Sequence, residues 1–263
     1  MNLVKYCSSS YNIEKGAKLQ LGTLFYYQNI ENKELMDEKE GSHELTINFT
    51  EDVELDIATA NLLFQGFAFG ESPKTQFEGS YETIANHAKF SCFKDKVRIE
   101  KASIKIKRKI NNCLMFCMSH IDEGLPPVIF GCHNDYWSLP IEKAELFGKC
   151  VSRLILDNAL FTAFGISPYE FQTIDKLRLR IQHQKVIYKE RNIDINQLNT
   201  PSYDELVQLI KEIIFIKPLS YSNEREYRFI FELISPQQIY LPKVEKLLIN
   251  SETLRKFTMG SYR

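Results

Sequence analysis

The stretch Lys217–Ile234, KPLSYSNEREYRFIFELI, decides how the rest of the chain is read. As a β-strand with period-two alternation it sends Glu224, Glu226 and Arg228 to one face and Arg225, Tyr227, Phe229, Phe231 and Leu233 to the other. The second set is a core face. The first gathers two carboxylates and a guanidinium at the mouth of a strand, directly after a Ser/Asn-rich loop, where a rigid scaffold presents chemistry. The same alternation also suits the solvent face of an antiparallel strand. The other stretches of the chain therefore have to weigh between the two.

Around this stretch lie 263 residues, 44% hydrophobic and 12% aromatic, enough to fill one large core and too apolar for disorder. They predict one domain over residues 1–263, with room for an insertion. A net charge of −1 advertises no polyanionic partner, but the charge is unevenly spread. From Glu31 to Asp56 ten acidic residues face two lysines, whereas from Lys89 to Ile110 nine basic residues face two acidic ones. Such asymmetry predicts separate faces, one of them suited to phosphate. The six cysteines are scattered without a CxxC pair, as expected of reduced thiols in a cytoplasmic protein. MNLVKYCSSS has no apolar signal-peptide core, and no window has the apolar length of a membrane helix, so no membrane partner is expected.

Strand signals dominate the first half. Asn2–Cys7 alternates, Ala17–Tyr27 (AKLQLGTLFYY) reads as a second strand region with Gly22 as a bulge or point of close approach, and His43–Phe49 alternates again. Glu51–Phe69 fits both the helical and the strand period. Val97–Lys107 is a strand with one basic face, and CLMFCM (113–118) is apolar throughout, like a central strand covered on both sides. Helices are expected later: Ile141–Asn158 carries a clear apolar stripe, Phe171–Arg191 reads as a basic helix, and Ser202 with Glu205 forms a capping-box pattern after Pro201. Pro242–Phe257 reads as a short helix. Strands first and helices mainly in the second half make an α+β pattern, and the lack of βα alternation argues against a doubly wound parallel sheet. No GxGxxG, GxxxxGK[ST], GxSxG or HExxH is present.

Several stretches together carry a resemblance. The opening LVKY, GTLFYY followed by the acidic loop Asp37, Glu40 and Gly41, the Cys117-Met118-Ser119 strand end, and the closing SNEREYRF resemble a bacterial family of unknown function. Its members carry a Lys-Tyr strand, an NDPxEG-like loop, a Cys-x-Ser strand end and an ExEyR strand. Here the loop lacks its proline, and HIDEGLPPVIFG follows Cys-x-Ser where the family has an aromatic segment. That family in turn resembles the ADP-ribosyltransferase fold, in which split mixed or antiparallel sheets enclose an NAD cleft. The resemblance implies Glu226 as the residue facing the oxocarbenium ion, Glu224 as the group that positions or deprotonates the acceptor, and Arg228 beside them.

It further implies Lys5, Tyr6, Tyr26, Tyr27, Ser119 and Arg228 around NAD, with a tyrosine stacking on nicotinamide. Since Tyr26 and Tyr27 alternate if they belong to a strand, only one of them can line a cleft. The implied activity is transfer of ADP-ribose from NAD to a macromolecule by a bacterial toxin or phage-defence effector, held in check by an antitoxin protein. The basic runs Lys96–Lys109 and Lys176–Arg191 lean the acceptor toward nucleic acid (RNA or DNA). A protein arginine acceptor, an NAD glycohydrolase and a catalytically silent NAD- or nucleotide-binding module are the alternatives.

Overall fold

The computed structural model describes residues 1–29, 37–70, 78–121 and 133–259. The chain opens with β1 (Asn2–Cys7) and β2 (Leu19–Thr23), then turns into the short helix α1 (Leu24–Gln28). The expected strand over Ala17–Tyr27 therefore ends early: the Thr23 side chain accepts from Tyr26 N at 3.1 Å and caps a helix. β3 (Ser42–Phe49) and β4 (Val53–Asp56) follow, and α2 (Ile57–Leu63) starts where Asp56 accepts from Thr59 N at 2.8 Å. The two periods overlaid in Glu51–Phe69 are thus a strand and a helix in succession.

The hairpin β5 (Gly79–Phe93) and β6 (Lys96–Ile110) leads to β7 (Leu114–Ile121) and β8 (Asp135–Pro140). Helices α3 (Ala144–Asn158), α4 (Leu160–Phe164) and α5 (Pro168–Thr173) come next, then β9 (Arg178–Lys185), β10 (Ile187–Tyr188) and β11 (Asn192–Ile195). α6 (Tyr203–Glu212) begins with the capping box read from Ser202 and Glu205. The remaining strands are β12 (Ile216–Lys217), β13 (Glu226–Ile234), β14 (Ile239–Tyr240) and β15 (Lys246–Ile249).

Two helices expected from sequence are not formed. Phe171–Arg191 is mostly strand: after α5, Lys176 turns the chain at φ +51°, Leu177 is buried just before β9, and β9 lays Leu179 on the buried side. Pro242–Phe257 yields β15 and a 3-10 turn over Glu252–Phe257.

The chain divides into two compact units. The one-domain expectation allowed for an insertion, and the second unit (39–111 and 188–219) consists of two stretches that interrupt the first. The first unit is built on a sheet whose path runs β14-β13-β7-β1-β8, with β9 on the other edge of β13 and β2 pairing both β7 and β15. Every pairing given for it is antiparallel. One face packs on α3, whose Phe147, Val151 and Ile155 recur at helical spacing. Phe147 meets Phe229 edge-on at 5.4 Å, and Trp137 lies stacked 6.0 Å from Phe116. Trp137 is a core anchor, as a lone tryptophan usually is.

In the second unit β6 is central, paired antiparallel with β3, β4 and β5, while β11 adds to β3 in parallel. Alternate residues of β3 and β6, from Leu45 to Phe49 and from Ala102 to Ile106, fill a core with Leu62, Phe64 and Leu206. The architecture is α+β with largely antiparallel sheets. Among the described residues no helix is long and apolar enough to cross a membrane.

Candidate functional site

Three sequence stretches far apart in the chain lie side by side in the first unit. β7 runs between β13 and β1, with Glu226 opposite Ser119 on one edge and Val4 opposite Ser119 on the other. Directly opposite residues of an antiparallel pair project from the same side. Arg228 faces Cys117 in the same register, and alternation from Val4 brings Tyr6 to this side as well. The face not used by α3 therefore carries Tyr6, Cys117, Ser119, Glu226 and Arg228 on three adjacent strands.

Glu226 and Arg228 form its charged centre. Arg228 Nε donates to Glu226 Oε1 at 2.6 Å and Nη2 to Oε2 at 3.4 Å. Arg228 is 0% exposed and Glu226 7%. A carboxylate so deeply placed persists only with a partner that answers its charge and fixes its direction. Residues two apart on one face of a strand are spaced to meet that need.

Strand β13 starts at Glu226, not earlier. Leu219–Glu224 is a 3-10 turn, and Arg225 sits at φ +45°, its carbonyl accepting from His120 N at 2.7 Å. Glu224 consequently does not share a strand face with Glu226, and the expected pair of carboxylates at strand spacing is not formed. The cause is local: a left-handed residue reorients the chain by far more than the alternation that the sequence pattern assumed. Glu224 remains half-buried at the end of the turn.

Lys5 is also displaced from its expected role. By alternation it shares the core face with Leu3 and Cys7, and its neighbour across β8 is the buried Trp137. Its Nζ lies 5.1 Å over the Phe116 ring and donates to Cys117 O at 2.9 Å. That ammonium fastens β1 to β7 from the side opposite Glu226. Tyr6 is the β1 residue on the Glu226 side. Burial, with Tyr136 beside it, pushes the Tyr6 phenol up to about 12, so it stays a neutral hydroxyl at any physiological pH.

Tyr26 and Tyr27 belong to α1, so they do not alternate, and both are half-buried. They meet edge-on with centroids 5.3 Å apart. Gly22, opposite Met115 on β7, makes room for them: a Cβ there would stand 2.7 Å from one ring and 2.9 Å from the other. Met115 projects from the same side as Cys117 and Ser119, so the two rings lie over the Glu226 face, roughly 13 Å along β7 from Ser119. Gly22 is the close-approach point the sequence suggested. Lys246 Nζ sits 4.4 Å over the Tyr26 ring.

No family model matches the chain, and no curated protein or solved structure is significantly similar to it. The site therefore rests on its geometry.

The two basic runs behave differently from each other. On β6, Lys96, Lys105 and Lys107 bond Glu54, Glu44 and Glu82 at 3.5, 2.9 and 3.6 Å, and Arg98 bonds Asp52. The acidic and basic halves of the composition are thus partly spent on each other. The run Lys176–Arg191 is not a helix; within it Arg180 bonds Glu232 at 2.9 Å and Lys189 bonds Glu212 at 3.1 Å.

Of the acidic loop, Asp37 and Glu40 are both buried, and Gly41, at φ +66°, offers its carbonyl to Ile110 N. Most of HIDEGLPPVIFG, together with Cys132, lies outside the described residues. The five other cysteines are free thiols. Sequence reasoning missed Cys117 as a member of the Glu226 face; the register of β7 against β13 is what places it there.

Proposed function

We propose that this chain is an NAD-dependent ADP-ribosyltransferase whose site is the Tyr6, Ser119, Glu226, Arg228 face. The observation that carries the proposal is the cross-strand pairing of Glu226 with Ser119, with Arg228 orienting the carboxylate. In the reaction the bond between ribose C1′ and the nicotinamide nitrogen breaks, and its electron pair leaves with nicotinamide. Positive charge then builds on the ribose. A fixed carboxylate stabilises that charge more in the transition state than in the ground state. The acceptor's lone pair forms the new bond at C1′ and its proton passes to solvent or a nearby base. Ser119 and the neutral Tyr6 hydroxyl are suited to ribose or amide hydrogen bonds, and Tyr26 with Tyr27 to aromatic contact at the far end of an extended dinucleotide.

Hydrolysis of NAD on the same face is the second reading, favoured by Glu224 standing off the strand, because the expected acceptor-activating carboxylate is not beside Glu226. A nucleic-acid acceptor gains no support from β6, where phosphates would have to displace carboxylates already in place. The broader role, a toxin or phage-defence effector checked by an antitoxin, rests on the family resemblance.

The test is incubation with NAD labelled in its adenylate. Label on RNA, DNA or protein supports transfer, and free ADP-ribose supports hydrolysis. Glu226→Gln is expected to lower turnover by about a hundredfold or more. Untouched NAD, or a fully active Glu226→Gln, would overturn the assignment.

A further inference from the structure

The core stripe of the second unit ends in polar groups. Inward positions of β3 read His43, Leu45, Ile47, Phe49, and those of β6 read Arg108, Ile106, Ile104, Ala102, with His43 directly opposite Arg108. Tyr81 of β5 stands opposite Arg108 on its other side, and Arg191, just before β11, holds Glu44 N through its carbonyl. Tyr81, Arg108 and His43 thus lie abreast across three strands, and Arg191 comes in beside the last. A cavity of about 520 Å³ opens at this row, within the size range of small-ligand pockets.

Its chemistry is that of an anion site. Five cationic side chains and two carboxylates line it, and both carboxylates are bonded to lysines, Glu44 to Lys105 and Glu82 to Lys107. Arg108 is wholly buried and pinned: its Nη2 donates to the carbonyls of Leu62 and Leu63 at the end of α2, which accounts for its presence structurally. Nothing comparable accounts for His43. It is 3% exposed, and among the described residues neither ring nitrogen has a hydrogen-bond partner. Buried imidazoles ordinarily bond through at least one nitrogen. Burial first, then Arg108 and Lys189, pull it down to about 3. It is therefore a neutral N–H donor, which a bound anion would satisfy.

We infer that this cavity binds a small phosphorylated molecule, its phosphate meeting the His43 ring N–H between Arg108 and Arg191 and its organic part lying against Tyr81. The Tyr81 side chain is exposed at the rim, as such a contact requires. This site is separate from the Glu226 face and does not depend on NAD chemistry.

The test is an NMR titration of the histidine ring protons with inorganic phosphate, AMP and adenosine. His43 is assigned as the resonance missing in His43→Gln. Phosphate and AMP are expected to shift it saturably, and adenosine to leave it in place. By calorimetry His43→Leu should weaken AMP binding about tenfold or more, and His43→Gln, which keeps a donor, about threefold at most. Unfolding midpoints confirm that both variants fold. The inference is overturned if neither phosphate nor AMP shifts His43, if adenosine binds as tightly as AMP, or if His43→Leu binds AMP unchanged. Labelled-NAD turnover in His43→Leu keeps the two sites distinguishable, since a site at His43 predicts loss of AMP binding with turnover retained.

Discussion

Arg228 and Glu226, two residues apart on one face of β13, form a buried ion pair through two hydrogen bonds, the shorter 2.6 Å. Breaking such a pair from one side is far more damaging than its net contribution suggests, because the remaining charge stays buried without its counter-ion. Arg228→Met is therefore expected to destabilise the protein by about 3–5 kcal/mol, measured by urea unfolding. Glu226→Gln keeps an acceptor for the guanidinium and should cost about 1–3 kcal/mol. If Arg228→Met unfolds at the same urea concentration as the parent, the pair does not hold β13 in place.

At Gly22 the constraint is space. An added Cβ would lie 2.7 Å from Tyr27 Cε2 and 2.9 Å from Tyr26 Cδ1. Gly22→Ala should force at least one ring aside and cost about 1–3 kcal/mol, with a changed near-ultraviolet circular dichroism signal. If the rings contact NAD, KM rises in this variant more than kcat falls. An unchanged spectrum and stability would mean that the rings do not rest on β2.

His43 sets a pH dependence with a definite sign. Its folded-state value, about 3, is below the ordinary 6.5, because burial and the cations Arg108 and Lys189 oppose protonation. The unfolded chain thus takes up the proton first. The His43 contribution is complete above pH 6.5 and is lost as pH falls from there toward 3, by about 1.4 kcal/mol per unit at most. His43→Leu should flatten the stability profile between pH 6.5 and 4, as read from urea midpoints. A parallel profile in the variant would contradict this.

Arg225 holds φ at +45°, a conformation that favours glycine. Arg225→Gly should raise stability by about 1 kcal/mol, seen as a higher Tm. A lower Tm would mean that the arginine side chain is itself needed to hold the turn.

The central strands were legible in the sequence because their signals are local and strong. The apolar run 113–118 and the alternation after Glu226 each point to one structure, and the Ser202/Glu205 box marks the start of α6 to the residue. What failed was competition between periods. Leu177, Leu179 and Ile181 alternate as β9 requires, yet Ile174, Leu177 and Ile181 also fit a helical stripe, and only pairing with β13 decides between them. The partition of Lys5 and Tyr6 between two faces follows from which side α3 covers, a tertiary fact. Arg225 hid the loss of Glu224 from the strand, since nothing in its residue type signals a positive φ. Glu226 and Arg228 were singled out by strand alternation, Ser119 and Tyr6 by the family resemblance, and the register of β7 brings all four to one face; Cys117 and Gly22 gained their meaning only from that register.

The pairing of β2 with β15, Leu21 against Leu247, joins residues more than two hundred positions apart. A ribosome makes β2 and β7 long before β13 and β15 exist. During that interval Ser119 has no Glu226 across from it, and the sheet edge that receives β13 is bare. Assembly of the Glu226 face is therefore a late event in synthesis, and a chain halted between residues 121 and 226 carries β1, β2 and β7 with no Glu226 to set beside Ser119.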